Sequence, residues 1–259
     1  MRVTVCQWPE SHQAIERAWE RLIEHVRAER SALLVLPEMP FSPWLARSRE
    51  FNAAHWEAAV DAHQRWDARM SEAGSAAIVG TRPYTFGNER LCAAFIWEAD
   101  TGSRAAHANS RIRNEEGAWE RGWYAPAPAD FTPAQAAGAE VGFLISLELW
   151  DLTEASRYGA EGVQLLITPR AGGAACGKWL DAGVAAASSA GAFGLSSTRA
   201  GASADSGGEG WIIDPQGQLL ARTTESKPFV TAELDLGQVR HVRSPQHPDL
   251  PTMSSTSAT

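Results

Sequence analysis

Pro37-Glu38 closes the apolar run Leu33-Leu34-Val35-Leu36. A carboxylate at the end of a buried strand loses water, and its pKa rises until it accepts a proton near neutral pH. Glu38 is therefore a candidate general base, set against the plain reading of a solvated strand end, since charged side chains are normally exposed. His107 poses a similar choice between a base and a histidine satisfied within a strand. Arg170 and Arg199 each follow a later apolar run. Their guanidinium forks either anchor a ligand carboxylate through paired hydrogen bonds or close structural salt bridges.

Positioning these groups requires a particular set of elements. Apolar β-prone runs fall at 3–8, 32–37, 75–81, 91–98, 141–147, 163–168, 192–197, 210–214 and 229–235. From Ser11 to Ala28, the spacing of Ile15, Trp19, Leu22, Ile23 and Val26 predicts a helix with one apolar face, and 53–73 and 151–161 read the same way. Asp214-Pro215-Gln216-Gly217 has the chemistry of a tight hairpin turn. Strands interleaved with helices in this order predict an α/β layered domain. No internal repeat is apparent. Residues 1–243 read as one domain, and 244–259, rich in Pro, Ser and Thr, reads as a tail too polar to order itself or as an arm that wraps a neighbouring subunit.

The 259 residues, 44% hydrophobic, suffice for one large core. A net charge of -8 argues against nucleic acid, whose phosphates call for clustered Lys and Arg. No stretch approaches the roughly 18 apolar residues of a membrane span, and the amino terminus runs straight into a strand-like segment, so a soluble, cytoplasmic protein is expected. Cys6, Cys92 and Cys176 lack the pairing of a zinc site and the density of a disulfide scaffold, as in a reducing compartment.

Three blocks in order resemble the nitrilase, or carbon–nitrogen hydrolase, superfamily. The first is Leu33-Leu34-Val35-Leu36-Pro37-Glu38-Met39-Pro40-Phe41, similar to the segment that carries the family's general base. The second runs from His107 to Tyr124, and matching it on Gly117, Trp119, Glu120, Trp123 and Tyr124 places Asn109 at the catalytic lysine position and Glu120 at the second glutamate. The third, Val141-Gly142-Phe143-Leu144-Ile145-Ser146-Leu147-Glu148-Leu149-Trp150, resembles the nucleophile elbow, with Ser146 at the cysteine position. Likeness continues through Thr168-Pro169-Arg170, Trp179-Leu180-Asp181, the 192–199 run, Gly207-Gly208-Glu209-Gly210-Trp211 and the Asp214 turn.

The resemblance implies a four-layer α-β-β-α sandwich that pairs into a homodimer or larger homo-oligomer. It implies hydrolysis of a non-peptide C–N bond in a small molecule, with no metal or organic cofactor. Glu38, Asn109, Glu120 and Ser146 are the implied catalytic positions. Phe41, Trp44, Trp119, Trp123 and Trp150 are expected to supply aromatic pocket walls, with Glu148 and Arg170 as polar substrate contacts.

Asn109 offers a neutral hydrogen bond where a lysine offers charge, and a serine hydroxyl needs a placed base where a thiol ionises more easily. Three explanations remain open. The chain is a hydrolase that uses Ser146; or it is a binding or partner subunit that has lost hydrolysis; or Ser146 was introduced to trap substrate, which leaves Asn109 unexplained. Arg111 or Arg113 is a candidate replacement cation, and Cys176 with Lys178 a displaced nucleophile and cation, against the plain reading of small residues in a Gly/Ala loop.

Overall fold

Two β-α-β-α-β runs build the molecule. In the first, β1 (Arg2–Trp8), α1 (His12–Glu29), β2 (Leu33–Val35), α2 (Ala53–Asp67) and β3 (Ala77–Phe86) follow in order, and the three strands lie parallel as neighbours. β4 (Glu89–Glu98) and β5 (Gly102–Ala108) extend that sheet antiparallel. After a single helical turn, α3 (Glu120–Trp123), the short pair β6 (Ala134–Ala136) and β7 (Ala139–Phe143) opens the second run. It continues with α4 (Leu152–Ala160), β8 (Leu165–Arg170), α5 (Cys176–Ala190) and β9 (Phe193–Arg199), with β7, β8 and β9 parallel. The hairpin of β10 (Trp211–Ile213) and β11 (Leu219–Arg222) adds to β9, and β12 (Phe229–Glu233) returns to pair with β1. The computed structural model describes residues 1–116, 118–171, 176–200 and 208–239. Gly117, Gly207, the side chain of Cys176 and the tail 244–259 lie outside the described residues.

The two sheets join where Gln7 meets Thr198 and Trp8 meets Arg199. Between them lies a core of short aliphatic side chains, among them Val5, Val35, Val79, Val141, Ile167 and Leu195. On the far side of the first sheet, Ile15, Trp19, Leu22 and Val26 of α1 pack with Trp66 of α2 against Leu34, Leu36 and Ile78. On the far side of the second, Ala155 and Tyr158 of α4 and Ala186, Ala187 and Ala190 of α5 cover Leu144, Leu166 and Ile213. These layers form the α-β-β-α sandwich that the sequence implied. Strands with both faces covered must read as unbroken apolar runs, which is why β2 and β8 are legible.

Local chemistry fixes the ends of these elements. Ser11 caps α1 by accepting from the Ala14 amide at 3.3 Å, and Asn52 caps α2 through the His55 amide at 3.1 Å. The helix expected over 53–73 stops at Asp67, and a tight turn over Met70–Ala73 follows. The strand expected over 141–147 ends at Phe143, since Ser146–Trp150 form a helical turn. Asp214 accepts from the Gln216 and Gln218 amides, closing the expected hairpin onto β11, whose Leu219 and Leu220 are exposed. β5 and β6 are too poor in apolar residues to announce themselves. α5 was missed because small residues dominate it.

Gly159 of α4 sits where α5 ends, and a Cβ there would lie 2.3 Å from the Ala190 carbonyl oxygen. Backbone cannot swing aside as a side-chain tip would, so Gly159→Ala should force α4 off the sheet. A loss of about 1–3 kcal/mol is expected in urea denaturation, with an unchanged slope.

Candidate active site

β2 delivers Glu38 to the carboxyl ends of the parallel strands, where the Glu38 amide donates to the Arg170 carbonyl at the end of β8 (3.3 Å). The turn that follows is held from beneath by Arg199. Its buried guanidinium donates to the carbonyls of Glu38 (3.2 Å), Met39 (2.5 Å) and Ser42 (2.7 Å). Met39, at φ 44, is in the left-handed region, and its amide donates to Thr81 Oγ1 at 3.0 Å. Glu38 itself is wholly buried. Its Oε1 accepts from the Tyr124 hydroxyl at 2.9 Å and the Cys92 thiol at 3.6 Å, while Oε2 has no partner among the described residues. Burial, then the like charge of Glu120, pushes the Glu38 carboxyl up to about 8, against the pull of Arg113, Tyr124 and Cys92. Burial and the charge of Glu38 hold the Cys92 thiol protonated, so it donates.

Glu120, in α3, is fully buried and accepts twice from Arg113, from the amide at 2.7 Å and from Nε at 2.5 Å. Burial works against the Arg113 charge, but Glu120 and Glu38 outweigh it and raise its pKa. Asn109 follows β5, where its amide donates to the carbonyl of Cys92 at 2.9 Å. Its Oδ1 accepts from the Arg111 amide at 2.9 Å, leaving the buried Nδ2 without a partner among the described residues.

Ser146 stands three residues beyond β7, after Leu144 has donated to Ile167 of β8. At φ 51 it is a non-glycine residue in the left-handed region, the strained turn expected of a nucleophile carried between strand and helix. Its Oγ is buried and has no partner among the described residues. Glu148 fastens this turn. One of its oxygens accepts from the Ile145 amide and His107 Nε2, both at 2.8 Å; the other accepts from the Ser110 amide (2.8 Å) and hydroxyl (2.7 Å). The segment that presents Asn109 is thereby tied to the turn that presents Ser146.

A model of the carbon-nitrogen hydrolase family matches residues 2–244. The chain belongs to the carbon-nitrogen hydrolase family. Solved structures with its fold include a carbon-nitrogen hydrolase from Helicobacter pylori G27, with a TM-score of 0.82 at 17% identity over 94% of this chain and 92% of that one. An amidase from Nesterenkonia sp. AN1, in a glutamate-to-glutamine mutant with the acetamide moiety of fluoroacetamide added covalently at the active site cysteine, gives 0.73 at 18% over 94% of each. A cysteine-to-serine mutant of that amidase, from the nitrilase superfamily, gives 0.73 at 18% over 94% and 95%. No curated relative matches the chain in sequence.

The remaining expected site residues of this carbon-nitrogen hydrolase are spread more widely. Phe41 is stacked on Trp66, centroids 4.5 Å apart, in the outer core beneath α1, so it packs a layer and does not wall the site. Trp44 and Trp123 line a cavity of ≈ 580 Å³ beside the site, formed with Leu45, Ser48 and Ala59; Glu38, Asn109 and Ser146 are not among its lining residues. Trp150 is half-exposed and meets Trp179 edge-on. Glu148 has both oxygens engaged by the protein's own donors, which makes it a brace for the turn and not a substrate contact. Arg170 is likewise a brace: Nε donates to Ser196 Oγ at 2.7 Å and Nη2 to the Glu209 carbonyl at 2.5 Å. His107 is the satisfied histidine, with Nδ1 on the Asp130 carbonyl at 2.7 Å and Nε2 on Glu148. Two acceptors require two N–H donors, and Glu148 raises its pKa against burial. Lys178 is exposed on α5. Cys92 carried no signal as a site residue, because contact with Glu38 arises only from the pairing of β3 with β4.

The raised Glu38 carboxyl makes stability pH-dependent. Its folded-state proton affinity exceeds the ordinary 4.5, so it favours the fold below that pH, and the benefit is lost as pH rises through about 8. Relative to the parent, Glu38→Gln should therefore gain stability across that window, on the order of several kcal/mol at its upper end, with a constant difference below it. Chemical denaturation at a series of pH values measures this, and a parallel pair of curves would refute it.

Proposed function

We propose that this chain hydrolyses a small carboxamide through Ser146, with Glu38 as general base and Asn109 as a donor to the acyl oxygen. One observation carries the reading. Glu38 Oε2, Asn109 Nδ2 and Ser146 Oγ are buried without partners among the described residues, beyond the ends of β2, β5 and β7, and the contacts of Cys92 with Glu38 and Asn109 and of Glu148 with Ser110 and Ile145 tie those three segments together. Buried polar atoms left unpaired cost about 1–3 kcal/mol each, and a primary amide supplies the complement: an N–H for the carboxylate, a carbonyl for the Asn109 amide and an electrophilic carbon for the hydroxyl. The amidase activity named for the Nesterenkonia fold relative is consistent with that class.

The reaction balances within these groups. Ser146 Oγ attacks the carbonyl carbon and its proton passes to Glu38, while the oxyanion takes the Asn109 N–H. The C–N bond then breaks, the nitrogen leaves as ammonia carrying the proton from Glu38, and Ser146 holds an ester. Water, deprotonated by Glu38, attacks that ester, releases the acid and restores the hydroxyl. A base titrating near 8 is mostly protonated at neutral pH, so kcat/KM should climb as pH rises towards and past that value.

The second reading, a pocket that binds amides without turning them over, is favoured by that same proton on Glu38 and by the neutral Asn109. Ammonia release from a panel of aliphatic and aryl amides decides between them. Turnover that vanishes in Ser146→Ala and falls about 10²–10⁴-fold in Glu38→Gln is expected. No turnover by the parent, with activity in Ser146→Cys/Asn109→Lys, would establish the binding reading instead.

A further inference from the structure

The cavity of ≈ 580 Å³ beside the candidate active site is lined by buried apolar side chains and by exposed basic ones. Trp44, Leu45, Ala59 and Trp123 are buried, whereas His12, Arg47 and His55 are exposed. His12 opens α1 and His55 lies in the first turn of α2, so two helix amino termini border the cavity, and neither first turn carries an acid. Such termini favour negative charge, and no Asp or Glu is among the lining residues. Arg47 pairs with Glu10 at 2.7 Å, but Glu10 also lies 3.9 Å from the buried Arg199. One carboxylate is thus shared by two guanidiniums, and a positive charge is left over. Ser42 is 2% exposed and lines the same cavity, and its buried Oγ has no partner among the described residues. Its carbonyl accepts from Arg199 at 2.7 Å, so Ser42, Arg199, Glu10 and Arg47 form one connected cluster.

We infer that this cavity is a binding site for a small aromatic carboxylate, with its ring against the indoles of Trp44 and Trp123 and its carboxylate on the Ser42 hydroxyl and Arg47. The volume suits a small organic molecule, and indole walls favour a planar apolar body. A buried hydroxyl without a partner is costly, and a carboxylate oxygen removes that cost by accepting from it. Arg47 has its side chain half exposed with one nitrogen on Glu10, which leaves other N–H groups of the fork for a second carboxylate. A neutral aryl molecule would satisfy the walls and leave the charge unmatched. An inorganic anion would match the charge and leave the walls empty. Glu38, Asn109 and Ser146 do not line the cavity, so the inference stands apart from the proposed hydrolysis.

Equilibrium dialysis of the full chain against 1-naphthylacetate and its neutral isostere 1-naphthylacetamide tests this. The amide is measured on Ser146→Ala, so that none is consumed, and the acid on both Ser146→Ala and the parent. The acid should bind both proteins alike, and the amide about tenfold more weakly or worse. Ala58 is exposed on α2 and lines the cavity, so Ala58→Trp fills the space without disturbing the core and should abolish binding. Arg47→Gln should weaken the acid about tenfold, to the level of the amide, while Arg47→Lys, which keeps the charge, should retain most of the affinity. Ser42→Ala keeps the carbonyl that Arg199 holds and should weaken the acid severalfold. Equal affinity for acid and amide, or no binding by the parent, would overturn the inference. So would binding that survives Ala58→Trp or disappears in Ser146→Ala, since either places the acid elsewhere. A parent that binds the acid and hydrolyses no amide would sink the proposed reaction and leave this site standing.

Discussion

Keeping an ionisable carboxyl dry where two sheets converge is the constraint around which this end of the molecule is organised. A carboxylate removed from water costs several kcal/mol unless hydrogen bonds and an opposite charge offset it. Glu38 takes hydrogen bonds on one oxygen from Tyr124 and Cys92, and burial with the like charge of Glu120 raises its pKa against the pull of Arg113, which is itself paired with Glu120. Its backbone is fixed independently of its charge, by Arg170 on one side and Arg199 on the other. Position and protonation are thus set by different residues, so the proton can come and go without the turn collapsing.

The sandwich is what brings the partners there. β1, β2 and β3 point the same way as one another, as do β7, β8 and β9, and the loops that leave their carboxyl ends carry the polar groups. Glu148 locks two of those loops together with a fully satisfied carboxylate. The same residue type therefore serves opposite purposes in the two halves of the chain. Glu148 has both oxygens engaged and is a brace, whereas Glu38 Oε2 has no partner among the described residues.

The strand-and-helix order was legible in the sequence because parallel strands covered on both faces must be apolar throughout, and because α1 repeats its apolar residues at helical spacing. Glu38, Ser146 and Glu120 were legible from local motifs, since each motif is a strand end or turn whose chemistry is contiguous in the chain. β5, β6 and α5 were not, because their residues are polar or small and only their neighbours make them regular.

What the sequence determined alone is the layered architecture and the identity of the groups offered at the strand ends. What only the tertiary structure decided is which of them are free to react. Phe41 and Trp150 look alike as pocket aromatics in the sequence, yet one is sealed beneath α1 and the other half-exposed. Arg113 and Arg111 look alike as cations, yet Arg111 is exposed and pairs with Asp151 while Arg113 is buried against Glu120. The physical reason is that burial and pairing depend on distant strands. A pKa or an unpaired oxygen belongs to the three-dimensional neighbourhood of a residue and not to its place in the chain.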